Sequence, residues 1–290
     1  MSTERAGTTA FFVAAVLWTW SCWIPVVLTL RARGIADMLQ APTWARALAD
    51  LGGLGPSLTA LLLTAHGEGW AGVRRLLRSL RLWRASPWVH VAVWLGPSLF
   101  LVAALLMAPA KAAELGSPVW HRLRLAPLAF AAALPFGPLG EELGWRGYAL
   151  PRLQARHGAL ASSLMIGAVW TLWHVPFFWA PAGTTISGSP ITVLAVCKYL
   201  AMLVGLSIVM TWIYNSSNGS TGLSVAFHAT WNTSFILLLF PDRSPQAGLF
   251  LEELSALAVW ILAGWLIWRY GADRLAPSER PSSGGVTLAN

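Results

Sequence analysis

Residues 125–147 read LAPLAFAAALPFGPLGEELGWRG. An uncharged apolar run, Leu125 to Leu139, leads straight into two adjacent carboxylates, Glu141 and Glu142, with Arg146 four residues on. An ionisable side chain at membrane depth costs about 2.5–3.5 kcal/mol on insertion scales and normally faces a polar cavity or a partner. What the two glutamates meet therefore decides how the rest of the chain is read.

The surrounding chain is apolar. It has 290 residues, 56% hydrophobic and only 11% charged, with 18 Trp and 26 Gly. That excludes an ordinary soluble domain and is far more than one membrane anchor needs. Apolar runs of about 20 residues suit helices, whereas a transmembrane barrel would alternate over about 10. The expected fold class is all-α, a polytopic transmembrane helical bundle of about eight spans, integral to the cell membrane. Thr9 to Leu30 reads as a first span and not a cleaved signal, since no small-residue cleavage site follows a short apolar core. The formal charge of +8 lies largely in loops. Arg and Lys there set membrane topology, so no nucleic-acid partner is expected. Cys22 and Cys197 show neither metal nor disulfide spacing and read as small core residues.

The spans are expected near Thr9–Leu30, Arg46–Ala65, Trp88–Ala108, Leu125–Leu139, Leu160–Trp179, Ile191–Tyr214, Leu223–Phe240 and Gly248–Tyr270. The fourth could continue through the Glu pair toward Arg156. Gly52, Gly53, Gly55 and Pro56 interrupt the second and permit a bend or close helix contact. Between the second and third, Val73, Leu76, Leu77, Leu80 and Trp83 recur at helical spacing among five arginines, which predicts a basic amphipathic helix on the membrane surface. These arginines place that loop in the cytoplasm, and eight spans then put both termini there. Residues 1–276 form a single membrane domain with a motif core at 125–240. The Ser-, Gly- and Pro-rich tail, 277–290, is expected to be disordered.

Few polar groups lie in or beside the spans. Lys198 can snorkel, and Glu252 and Glu253 suit the start of a helix, so structural roles are expected for all three. The Glu pair differs. Adjacent helical residues point about 100° apart, and Arg146 can bond Glu142 along one face. Glu141 is then free to face elsewhere. His174 lies in WTLWHVP, where Pro176 disturbs the helix just beyond it. His228 and Asn232 are spaced i, i+4 and share a helix face. A carboxylate and an imidazole can take a proton from water, and a second imidazole with an amide can donate to a developing oxyanion. The same groups, Glu141, His174 and His228, could instead hold a divalent metal such as zinc. Either route gives peptide-bond hydrolysis in a membrane cavity. His-Glu-x-x-His and Gly-x-Ser-x-Gly motifs are absent.

At these residues the chain resembles the CPBP (ABI) family of intramembrane, type II CAAX prenyl endopeptidase-like proteins. Its ordered motifs match as Glu141-Glu142-x-x-x-Arg146, Trp170-x-x-x-His174 and His228-x-x-x-Asn232. Trp170 stands where the family has Phe, a change expected to matter little. The resemblance implies that Glu141 and His174 activate water, that His228 and Asn232 stabilise the oxyanion, and that Glu142 and Arg146 support the motif helix. It implies membrane lipid and a peptide or membrane-protein substrate as partners. The family is described both as metal-dependent and as metal-independent, and the lack of a ligating cysteine or third histidine leans toward no tightly bound zinc. The rival class is a non-enzymatic membrane protein, such as a bacteriocin immunity factor or a transporter. Polar groups clustered at one site weigh against a transport path. At 1.5 Å per residue, His228 lies about 8 Å and His174 about 21 Å past their helices' cytoplasmic ends. For the two to meet, the fifth helix must begin outside the membrane or tilt.

Overall fold

The computed structural model describes residues 2–36, 38–107, 124–135, 137–181, 186–187, 191–239 and 245–277. Every regular element among them is helical, as the hydropathy requires. In chain order they are α1 (Ser2–Ala32), α2 (Thr43–Gly53), α3 (Gly55–Arg78), α4 (Pro87–Trp94), α5 (Gly96–Met107), α6 (Ala126–Ala133), α7 (Pro138–Glu142), a π-helical segment (Leu143–Ala149), α8 (Leu150–Trp173), α9 (Val193–Ser216), α10 (Thr221–Leu239) and α11 (Pro245–Tyr270).

Several expected spans are broken, and each break has a local cause. The second bends by 52° between α2 and α3, where glycines and Pro56 weaken the helix. The third is interrupted at Leu95, ahead of Gly96 and Pro97. The fourth is not one straight helix: α6 ends before Pro135, and α7 starts afresh with Pro138 in its first turn, where a missing N–H costs nothing. The fifth runs as α8 to Trp173 and then tightens into a 3₁₀ turn, Val175–Phe178, at Pro176. Among the described residues, Gly7–Ala32 and Val193–Ser216 are long and apolar enough to cross a membrane unaided. The bent pair of α2 with α3 makes a third. No other helix passes that test of length and hydropathy among the described residues.

Apolar side chains also coat the outside. Leu17 and Leu28 on α1 and Ile261 and Trp268 on α11 are all more than 60% exposed, the surface that lipid would cover. Cys22 is buried as expected, whereas Cys197 is exposed on α9. Lys198 does not simply snorkel; it pairs with Glu253 across α9 and α11. The tail beyond 277, and most of the loops at 108–123 and 182–190, lie outside the described residues.

Two features position the interior. A Cβ on Gly140 would fall 2.6 Å from the Gly53 carbonyl oxygen, and one on Gly144 would fall 2.6 Å from the Pro56 backbone. These glycines, four apart on one face, let the motif segment lie directly on the α2–α3 bend. In α8 the backbone leaves helical geometry at Gly158, with φ 70°, a left-handed value that favours glycine. The freed donors are taken up from behind α11: Ala159 N–H donates to Asp273 O and Leu160 N–H to Ala272 O, both at 2.8 Å. The expected start of the fifth helix at Leu160 coincides with this break. Around this frame, α8 packs on α9 and α9 on α11, while α10 lies against α4, α5, α6 and α7.

Candidate active site

The Glu pair lies where α7, α8 and α10 meet, and it is buried. Glu141 is 4% exposed, while Glu142 and Arg146 are at 0% and His228 at 4%. The two carboxylates part company as the 100° step between neighbours demands, and each meets a residue four positions on. Glu142 pairs with Arg146, Nη1 to Oε2 at 3.2 Å. Glu141 Oε2 accepts the Trp145 indole N–H at 3.3 Å. Partners from other helices complete both. His228 Nδ1 lies 2.8 Å from Glu142 Oε1, and Trp170 Nε1 donates to Glu141 Oε2 at 2.5 Å.

These bonds assign tautomers. A carboxylate and a carbonyl only accept, so the facing ring nitrogen must carry the hydrogen. His228 therefore holds its proton on Nδ1, toward Glu142. His174 Nδ1 sits 3.0 Å from the Trp170 carbonyl oxygen and carries its proton there. In each neutral ring, Nε2 is left with a lone pair. Trp170 links the two: its ring centroid is 5.4 Å from that of His228, edge to face, and 6.2 Å from that of His174. The depth mismatch expected from counting residues is met by a fifth helix that begins at Leu150, earlier than the expected Leu160. His174 is further fixed between Trp173 at 4.6 Å and Tyr199 at 5.6 Å, both edge to face.

Asn232, half-buried, reaches the same place from α10. A Cβ on Gly137 would lie 3.3 Å from Asn232 Nδ2 and 3.8 Å from Glu141 Oε1. A side chain at this position between α6 and α7 would crowd that space, which glycine leaves open. Glu141 Oε1 has no hydrogen bond among the described residues and faces the gap. The helix break anticipated at Pro135 to Gly140 is therefore what places Glu141 opposite Asn232.

The residues singled out from sequence fall into one neighbourhood: Glu141, Glu142, Arg146, His174, His228 and Asn232. Two expectations change. Glu142 supports more than its own helix, since it also orients His228. Trp170 is more than a substitute for Phe, because its N–H reaches Glu141 and phenylalanine has none. Its ring also lies 4.9 Å from the Arg146 guanidinium carbon, within cation–π range. Trp145 was not anticipated at all; the signal was its i, i+4 spacing from Glu141 within the opening motif.

The metal alternative fares differently. Among the described residues no three His, Cys, Asp or Glu side chains are grouped to hold a metal ion, so the proposed trio of Glu141, His174 and His228 does not form a ligand cluster. Each histidine keeps an Nε2 lone pair and Glu141 a second oxygen, so what the trio lacks is convergence on one point and not ligating atoms.

Comparison with known proteins agrees with the motifs. Residues 123–234 match the family described as type II CAAX prenyl endopeptidase Rce1-like. That segment contains all three motifs. A relative from Methanococcus maripaludis, CAAX prenyl protease 2, is 30% identical over 98 residues, 34% of this chain. The chain spans about a third of that relative's length, 36%. The family resemblance seen in the motifs therefore holds over α6 to α10, the helices that build the Glu141–Asn232 neighbourhood.

Proposed function

We propose that this chain is an intramembrane endopeptidase that hydrolyses a peptide bond with water activated at Glu141. The observation that carries it is the pairing of a buried carboxylate, one oxygen unbonded, with an amide donor across Gly137. Glu141 Oε1 takes a proton from water, and His174 Nε2, a lone-pair acceptor, orients or shares it. The water oxygen then bonds to the scissile carbonyl carbon, whose oxygen becomes the oxyanion. Asn232 Nδ2 donates to that oxyanion. When the C–N bond breaks, the proton held at Glu141 passes to the leaving nitrogen, so no proton is lost or gained.

His228 has a condition attached. Its Nδ1 proton is engaged by Glu142, so Nε2 can donate to an oxyanion only from the imidazolium form. In the neutral form His228 Nε2 accepts, and Asn232 is left as the donor. No step is assigned to a metal.

The substrate is a peptide or membrane protein that reaches the cavity from the cytoplasmic side. A prenylated C-terminal peptide is the substrate class that the name of the relative suggests for a first assay. The site's setting is an integral protein of the cell membrane with both termini in the cytoplasm. The test is cleavage of fluorogenic peptides, prenylated and unprenylated, by the purified chain. Glu141→Ala should lower turnover by at least about 100-fold, the scale of one lost general base, while the protein still elutes as a folded species. Undiminished cleavage by that variant would overturn the mechanism. Absence of cleavage of any peptide by the wild-type chain, with biological function kept in His174→Ala and His228→Ala, would favour the non-enzymatic class.

A further inference from the structure

One side of the bundle carries a second cavity, of about 410 Å³, which nothing in the proposed reaction uses. Its polar walls are Thr64, Glu68, Arg75 and Ser79 near α3, Arg152 on α8 and Tyr214 on α9. One carboxylate serves two guanidiniums here: Glu68 pairs with both Arg75 and Arg152. The trio is left with one unneutralised positive charge.

The two arginines differ in freedom. Arg152 is 30% exposed, lies 3.7 Å from the Tyr148 ring centroid and donates Nη1 to Tyr148 O at 2.9 Å. Arg75 is 71% exposed and engages Glu68 through Nη2 alone among the described residues. Its remaining N–H groups are available to a ligand. The result is a partly covered inner clamp and an exposed outer one. Local backbone makes this possible. Gly69, at φ 62°, breaks the regular course of α3. Glu68 folds back over Gly72, where an added Cβ would meet the Glu68 side chain at 2.5 Å.

The half of α3 beyond Gly69 has the character expected of a membrane-surface helix. Val73 and Leu76 are buried, while Arg74, Arg75 and Arg78 are exposed. Trp70 is 75% exposed, and Trp83, just past the helix, is 46% exposed with one face stacked on Trp94. Indoles beside a basic helical face mark the headgroup layer. Arg75, which lines the cavity, thus belongs to the helical face with the character of a membrane-surface helix.

We propose that this cavity binds a phosphate group, with a membrane phospholipid headgroup as occupant, held between the guanidiniums of Arg75 and Arg152. Forked guanidinium donors match phosphate oxygens in pairs, and Glu68 is the resident carboxylate that the phosphate displaces or shares. The site lies beyond the Glu pair along the chain from α7 into α8, and it does not depend on the peptidase reading.

Isothermal titration of the full chain in non-ionic detergent tests this, with dihexanoyl phosphatidylglycerol in one arm and inorganic phosphate in the other. The lipid should bind. Arg75→Ala with Arg152→Ala should weaken it by about tenfold or more, the scale of lost charge-assisted hydrogen bonds. Arg75→Ala alone, at an exposed position, should weaken it without affecting the fold. Glu68→Gln should tighten it by removing the competing carboxylate. Inorganic phosphate binding as tightly as the lipid would keep the phosphate site and overturn the lipid as its occupant. No binding of either, or equal lipid binding by the double variant, would overturn the site.

Discussion

Replacing Glu142 with alanine removes the only described carboxylate within ion-pair distance of Arg146. The guanidinium is fully buried, and its Nε and Nη2 already lack partners among the described residues. Removing the carboxylate strands the whole charge in the core and frees His228 Nδ1 as well. Breaking a buried ion pair from one side costs about 3–5 kcal/mol. Against a total stability of about 5–15 kcal/mol for a typical domain, that is a large fraction. Glu142→Ala should therefore unfold well below the wild-type chain when both are heated or titrated with SDS in the same micelles. A second substitution isolates the cause. Glu142→Ala with Arg146→Met removes both charges and keeps most of the volume, so it should recover roughly half of the lost stability, about 2 kcal/mol. The reasoning fails if Glu142→Ala stays within about 1 kcal/mol of wild type, the range of a neutral substitution. It also fails if the double variant is as damaged as the sum of the singles, because the stranded charge is then not what hurts.

Other substitutions probe the remaining contacts. Trp170→Phe keeps an aromatic ring but deletes the N–H that reaches Glu141 at 2.5 Å. Turnover should fall by about tenfold, the lower end for a hydrogen bond to a charged group, since Trp145 still donates. Unchanged turnover in a peptide-cleavage assay would show that the indole merely fills space. Gly144→Val places a side chain 2.6 Å from the Pro56 backbone and should lower the unfolding midpoint by an amount equivalent to about 1–3 kcal/mol of overpacking. Gly264→Ala on α11, with nothing within 4 Å of the new Cβ, should raise it by up to about 1 kcal/mol through helix propensity alone. Midpoints shifting alike in both variants would refute the close-approach argument.

The parts of this protein legible in the sequence were those set by short-range rules. Composition and apolar run length suffice for an all-helical membrane bundle, and i, i+4 spacing suffices for Glu142 with Arg146 and for His228 beside Asn232. The prolines and glycines from Pro135 to Gly140 announce a break, and the structure has one there. Long-range partners were not legible in this way. No spacing rule joins His228 to a glutamate 86 positions earlier, nor the Trp170 indole to a carboxylate 29 positions earlier. Tilt and stagger decide both, and they arise from packing between helices. Hydropathy also overstates continuity: Trp88 to Ala108 reads as one span because Gly96 and Pro97 barely lower its mean, yet the backbone stops and restarts at Leu95. The Lys198–Glu253 pair escaped because each residue alone had an adequate local explanation.

The seam at Gly158 bears on the order of assembly. The helix that carries Trp170 and His174 begins with two backbone donors whose acceptors belong to residues 272 and 273. More than a hundred residues of chain separate the two sides. A ribosome making this protein releases the motif segment, both histidines and Asn232 well before Ala272 and Asp273 have been synthesised. Until those two carbonyls arrive, the head of the His174 helix lacks its closure. Completion of the neighbourhood around Glu141 and His174 is thus tied to the last part of the described chain, so that an interrupted translation product carries every motif and still lacks the brace beneath one of them.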